Sequence, residues 1–406
     1  MAAESVIQLK CECKNDPWGK KGSDSMAARF WTKTPLTGGK VDESKPYSEM
    51  WMGTYPSTPS YLLSTGEQLE GYLKKHPELL GKNATDKWGC DLPFLPKILS
   101  MCKALPLQVH PDKSLAEKLH AREPNKFTDP NHKPEIAIAL GKFELFAGFK
   151  PLAEIQALFR LKPLEHFVPN GHKEFTDETL RQVCRNLLLA EDNVVAMTTE
   201  ELKKLPESAF SSKDAGIPAM LDRLRQQYSE FDNGNLVAVL LMNFLTLDKG
   251  DAVYIPADGI HAYLSGDIME CMARSDNVLN TGFCPRVERD SVELFTQALT
   301  FQPHDPKSVI LPSSASLKSE HGKTREYSPP ISEFNVLATS LKKGEKEGIK
   351  PIMGPSIQVV TKGSGRLHTK AKTVAIKEGV VFFIGKDTAV EIVAEEDLEL
   401  YRAYAE

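Results

Sequence analysis

The stretch Gly250–Phe283, GDAVYIPADGIHAYLSGDIMECMARSDNVLNTGF, decides how the chain is read. It begins with a turn glycine and an acid, alternates apolar residues as far as Ile255, and breaks at Pro256. A single histidine, His261, stands a few residues on, followed in little space by Asp267, Glu270, Asp276 and Asn277. A strand that turns at proline and presents a histidine near the start of the next strand can set a metal ligand inside the mouth of a small β-barrel.

Working outward, other residues of the right chemistry join it. In Gln108-Val109-His110 the first and last residues share a strand face, so the Gln amide oxygen and the imidazole can reach one ion together. Glu135 opens Glu-Ile-Ala-Ile-Ala-Leu, where Ala137 and Ala139 share its face and leave it uncrowded. The set Gln108, His110, Glu135 and His261 is rich in N and O donors and suits one Zn²⁺ with an open position. With Glu135 as its only anion, such a site keeps a net positive charge that can stabilise a developing oxyanion. Taken singly, each histidine reads more simply as a packed, hydrogen-bonded core residue, and Glu135 as a rim carboxylate. It is the four together that make a ligand set.

A chain of 406 residues is too long for one ordinary core, so two or three domains are expected. The net charge of −5 and dispersed lysines leave no basic face, which argues against nucleic acid as a partner. MAAESVIQLKCECK lacks the pattern of a secretory signal, and the apolar run Leu236–Leu247, interrupted by Asn243, is too short to span a bilayer. Seven scattered cysteines show no pairing framework or zinc knuckle, and Cys11 and Cys13 read as packing residues on one strand face. A cytoplasmic protein without a membrane partner is expected, and a monomer.

Along the chain, residues 1 to about 60 read as short strands punctuated by the turns NDPWGK, TPLTGG and TYPSTPS. Residues 61–103 read as helix, loop and helix, the second helix carried by Leu95-Pro-Lys-Ile-Leu-Ser-Met. Strand signals return at Leu105–His110 and Pro134–Leu140. From Leu152 the apolar spacing turns helical in LAEIQALFRL, DETLRQVCRNLLL and IPAMLDRLRQQY, a pattern expected to close at the Asn233-Gly234 breaker. The last part returns to short alternating strands, and Gly379-x5-Gly385 with Val390 echoes Gly250-x5-Pro256 with His261. The spacing predicts a mainly β chain with an α-helical insert. It comprises a cupin-like (jelly-roll) catalytic domain over 1–151 and 236–310, a helical domain over 152–235, and a second cupin-like domain without metal ligands over 311–406.

The blocks LPLQVHPDKSLAEKLH, NHKPEIAIAL and HAYLSGDIMECMARSDNV resemble the signatures of type I phosphomannose isomerases, fungal ones in particular. KPYSEMWMGTYPSTPS and DLPFLPKIL are similar to two further blocks, and the resemblance covers nearly the whole chain. It implies zinc-dependent interconversion of mannose 6-phosphate and fructose 6-phosphate, feeding GDP-mannose and glycan synthesis. Its zinc ligands fall on Gln108, His110, Glu135 and His261, and its pocket residues on Lys97, Lys133, Tyr263, Glu270, Asp276 and Arg286. Asn280 stands where the family usually has a catalytic arginine and Pro106 where it has a phosphate-binding serine. Tyr55 replaces a frequent histidine, Pro17 an acid and Arg286 a lysine.

Aldose–ketose isomerisation moves a proton between C2 and C1 through a cis-enediol, which needs a base and a nearby cation. Glu270, in preference to Asp276, is the expected base; the alternative for each is a carboxylate that orients a ligand histidine. Lys97 and Lys133 are expected to hold the phosphate away from the reacting carbons. Arg274 and Arg286 are the candidates to replace the missing cation at Asn280. Three readings stay open from the residues: an active isomerase, a divergent relative acting on another sugar phosphate, and a metal-binding cupin without catalysis.

Overall fold

The computed structural model describes residues 4–33, 39–169 and 175–406; apart from Gly39, the expected TPLTGG turn lies outside them. Its centre is the strand His261–Ala273, 13 residues long and almost wholly buried. The strand is shared between neighbours at both ends. Its first half pairs with Phe143–Phe149 and, through His261, with Gln108. From Gly266 onward it lies between Phe94–Met101 on one side and Glu135–Ala139 on the other.

A bulge makes this strand serve the site. The register shifts between Glu144↔Ser265 and Leu145↔Tyr263, and Gly266 follows at φ 130°. A Cβ there would stand 2.6 Å from the Lys142 carbonyl oxygen, so only glycine fits. Side chains alternate along a strand, so His261 and Glu270, nine positions apart, would face opposite ways in an unbroken one. With the bulge, Tyr263 and Ile268 pack into the same interior cluster, while Met269 and Cys271 face outward into another. His261 and Glu270 thus look into one barrel.

The expected helix at Leu95–Met101 is instead the strand Phe94–Met101, with all eight residues buried. A strand covered on both faces loses the polar alternation that would have identified it, and its leucines and isoleucine then mimic helical spacing. Pro96 lies one position beyond the last residue paired with the Glu49–Trp51 strand and offers its carbonyl to the Met52 N–H (3.0 Å). The Asn233-Gly234 pair does not close the helical segment either. It opens the helix Asn233–Leu241, whose first turn is capped by the Asp232 side chain, and the apolar run from Leu236 continues into the strand Met242–Leu247.

Around this centre the fold is mainly β with a helical insert, in cupin-like sheets. Helices from Leu152 to Leu241 enclose one apolar cluster, and an eight-stranded and a four-stranded sheet enclose another in the C-terminal part. Val6–Lys10, expected with the first sheet, pairs instead with Val381–Ile384 of the C-terminal part. A third cluster joins the outer face of the central strand to Ile357, Val359 and Tyr401, so two β bodies pack back to back. Among the described residues no helix is long and apolar enough to cross a membrane.

Candidate metal centre

Three of the expected ligands stand at strand boundaries, where a side chain can turn inward at the barrel mouth. His110 follows Leu107–Val109, Glu135 opens Glu135–Ala139, and His261 opens the central strand. Their ligand atoms lie within 4.8 Å of one another. His261 Nε2 is 3.1 Å from Glu135 Oε1, and His110 Nε2 is 3.5 Å from Glu135 Oε2. Gln108 is in register with His261 on one side and Asn280 on the other, and it lines the same cavity.

The hydrogen bonds fix the histidine tautomers. His110 Nδ1 donates to the Asn277 carbonyl (2.8 Å) and His261 Nδ1 to the Gly259 carbonyl (3.0 Å). Each ring therefore carries a proton on Nδ1 and turns its Nε2 toward Glu135. Both Nε2 atoms are fully buried and without a hydrogen-bond partner among the described residues. Buried polar atoms rarely stay unsatisfied, so two such nitrogens beside one carboxylate fit a cation. Burial, with Lys133 nearby, pushes His110 down to about 3, which keeps it a neutral ligand. Burial works against the Glu135 carboxylate, yet the two histidines hold it well below the usual range.

Tyr263, expected to touch substrate, does not line the cavity. It is fully buried and donates from its hydroxyl to Glu135 Oε1 (2.7 Å), and burial keeps it protonated. It is a support that aims the carboxylate. Replacing it by phenylalanine is expected to weaken the affinity of this site for a divalent cation about 10- to 100-fold, the usual cost of an outer partner, with the fold retained. Competition with a chromophoric chelator measures this, and an unchanged affinity would remove Tyr263 from that role.

Beside the cluster lies a charged row across three strands. Lys97 is in register with Glu270 on one side and Trp51 on the other. Its ammonium is 3.1 Å from Glu270 and 3.4 Å from Glu49, and 4.5 Å from the Trp51 ring centroid. Burial would lower Lys97, but these carboxylates raise it above its ordinary value. Burial pushes Glu270 up to about 7 against the pull of Lys97, with Glu135 and Glu49 adding to the rise. Lys97 was expected as a phosphate holder; its charge is instead committed to two glutamates.

Lys133, Asp276, Asn280 and Pro106 line the cavity as well. Asp276 is held by its backbone, whose N–H donates to Asp129 Oδ2 (3.0 Å), and Tyr55 donates to the same oxygen (2.8 Å). Neither candidate replacement arginine reaches the cavity. Arg274 pairs with Asp91 (3.4 Å) and lies over Tyr55, while the exposed Arg286 bonds Asp192 and borders another cleft with Pro17.

Sequence reasoning missed Lys14, Glu49 and Trp51, all of which line this cavity. Glu49 and Trp51 are two apart in SEMW, a spacing that puts both on one strand face, and that signal was available.

Two family descriptions match the chain: "Phosphomannose isomerase type I, catalytic domain" over residues 6–152 and "Phosphomannose isomerase type I C-terminal" over 327–369. A mannose-6-phosphate isomerase of Schizosaccharomyces pombe is 37% identical over 417 residues, covering 99% of this chain and 100% of that protein. One from Saccharomyces cerevisiae is 37% identical over 434 residues, covering 100% and 99%. Among solved structures, the apo mannose 6-phosphate isomerase of Salmonella typhimurium superposes with a TM-score of 0.81 at 24% identity over the full length of both chains. A zinc-bound mannose 6-phosphate isomerase gives 0.82 at 24% identity over 99% of this chain and 100% of that one.

Proposed function

Because the chain belongs to the type I phosphomannose isomerase family, we propose that it is a zinc-dependent isomerase interconverting mannose 6-phosphate and fructose 6-phosphate through a cis-enediol. In this reading it works in the cytoplasm and supplies the precursor of GDP-mannose. The observation that carries the reading is the pair of unpartnered Nε2 atoms facing Glu135, with Glu270 on the same interior face. Gln108, His110, Glu135 and His261 would hold one zinc per chain. When bound, zinc supplies a fixed positive charge for the oxygens on C1 and C2.

The other steps belong to side chains. Glu270 takes the proton from C2 and returns it to C1, and Lys97 keeps its carboxylate aimed and partly ionised. Asp276, at the cavity wall, takes the hydroxyl proton from O2 and gives it to O1 as the carbonyl moves from C1 to C2. Lys133 meets the phosphate, so that binding energy remote from the reacting carbons positions them. The cavity of about 170 Å³ is below the roughly 300–1,000 Å³ of most ligand pockets, so the phosphate end extends toward its mouth.

The test is an assay of fructose 6-phosphate formation from mannose 6-phosphate by the purified chain, with bound metal measured alongside. Turnover is expected to disappear on chelation and to return with zinc. Zinc present without turnover on mannose 6-phosphate would overturn the reading. A related sugar phosphate would then be the next substrate to try, because the uncharged Pro106 and Asn280 shape this cavity.

A further inference from the structure

Of the three lysines lining the cavity, Lys97 is answered by two carboxylates. Lys14 and Lys133 have none within 4.0 Å among the described residues. Lys14 is held in place from both sides of its backbone. Its N–H donates to the Glu49 carbonyl (2.8 Å), and its carbonyl accepts from the Ser48 N–H (2.9 Å). Its side chain then crosses Trp51, with Nζ 3.7 Å from the indole centroid. The same buried ring also meets Lys97, whose Nζ is 4.5 Å from its centroid.

A cation over an aromatic face is positioned without being neutralised, because the ring offers a quadrupole and no proton acceptor. Burial lowers the Lys14 ammonium from its ordinary value and Lys97 adds to the fall, against the pull of Glu49, Asp276 and Asp16, none of which forms an ion pair with it. Asn280, on the same cavity wall, brings no charge, and its Oδ1 is buried and unpartnered among the described residues. A phosphate monoester carries a charge of about −1.5 to −2 near neutral pH, which Lys133 alone does not balance.

We propose that Lys14 is a specificity-determining residue that, with Lys133, binds the substrate phosphate and makes the cavity select a phosphorylated sugar. This rests on the isomerase reading for the identity of the substrate, but phosphate binding itself can be measured without turnover.

The experiment uses the full zinc-loaded chain with inorganic phosphate as the calorimetric probe, beside steady-state kinetics on mannose 6-phosphate. Lys14→Gln is expected to weaken phosphate binding and raise KM by about 10- to 100-fold, the range for losing one charge-assisted bond. Zinc content should hold and kcat should change less than KM. Lys14→Arg is expected to restore most of the phosphate affinity. Wild-type phosphate affinity and KM in Lys14→Gln would overturn the proposal. So would a loss of zinc, or a loss confined to kcat, either of which would make Lys14 a support of the Glu49–Trp51 strand. If the wild type binds phosphate through Lys14 but does not isomerise mannose 6-phosphate, the isomerase reading falls and the phosphate contact stands. If it isomerises while Lys14→Gln behaves as wild type, only the present proposal falls.

Discussion

Replacing His261 by alanine is expected to release the metal and abolish turnover. The residue is fully buried, its Nδ1 is committed to the Gly259 carbonyl, and its Nε2 faces the Glu135 carboxylate at 3.1 Å in the candidate cation site. Alanine leaves Gln108, His110 and Glu135, a set lacking one of its two imidazoles. Losing an outer partner of a metal ligand usually costs about 10- to 100-fold in affinity. Losing the ligand itself should cost more, on the order of 10³-fold, so that zinc is removed by a mild chelator that spares the wild type. The comparison with Tyr263→Phe makes the result graded, because that change leaves the ligand and loosens only Glu135. Metal analysis after dialysis and a parallel assay measure the outcome. Stoichiometric zinc in His261→Ala would refute the assignment, whatever happened to activity.

What could be read from the chain and what could not follow from the same physics. The cluster of His110, Glu135 and His261 was legible because these are side chains that can bind a metal and they stood at strand boundaries, two of them after Pro134 and Pro256. The helices Leu152–Leu158, Asp177–Leu188 and Ile217–Arg225 were legible because one face of each is apolar and the other polar. Phe94–Met101 was misread because burial on both faces erased its alternation. Asn233-Gly234 was misread because a turn-forming pair can also start a helix when an aspartate precedes it. The partnership of Val6–Lys10 with Val381–Ile384 spans almost the whole chain and leaves no local trace.

The bulge at Gly266 is the most consequential of the features that a linear reading misses. It corrects the parity between His261 and Glu270 and so places a candidate metal ligand and a carboxylate on one face. Lys97, expected from sequence at the phosphate, meets Glu270 because the unbroken register between the central strand and Phe94–Met101 makes the two direct cross-strand neighbours. Charges that look independent in sequence become one row.

That row sets up the sharpest kinetic expectation. Glu270→Gln should lower kcat by about 10²- to 10⁴-fold, the usual worth of a positioned general base, while zinc content remains at the wild-type level. The pH profile separates a base from a bystander. A base must be ionised, so kcat/KM rises with pH through the carboxyl's own pKa and falls away below it. Burial raises Glu270 from 4.5 to about 7, with Glu135 and Glu49 contributing to the rise. A cation held by Glu135 and the histidines favours the ionised form, as Lys97 already does, and draws the value back down. The acid limb is therefore expected between 4.5 and 7, and the residual rate of Glu270→Gln should lack it. Asp276→Asn serves as the control, since Asp276 shares the cavity without the Lys97 contact. If the limb survives in Glu270→Gln and vanishes in Asp276→Asn, the proton transfer belongs to Asp276. If Glu270→Gln loses zinc along with its rate, Glu270 supports the metal site rather than moving the proton.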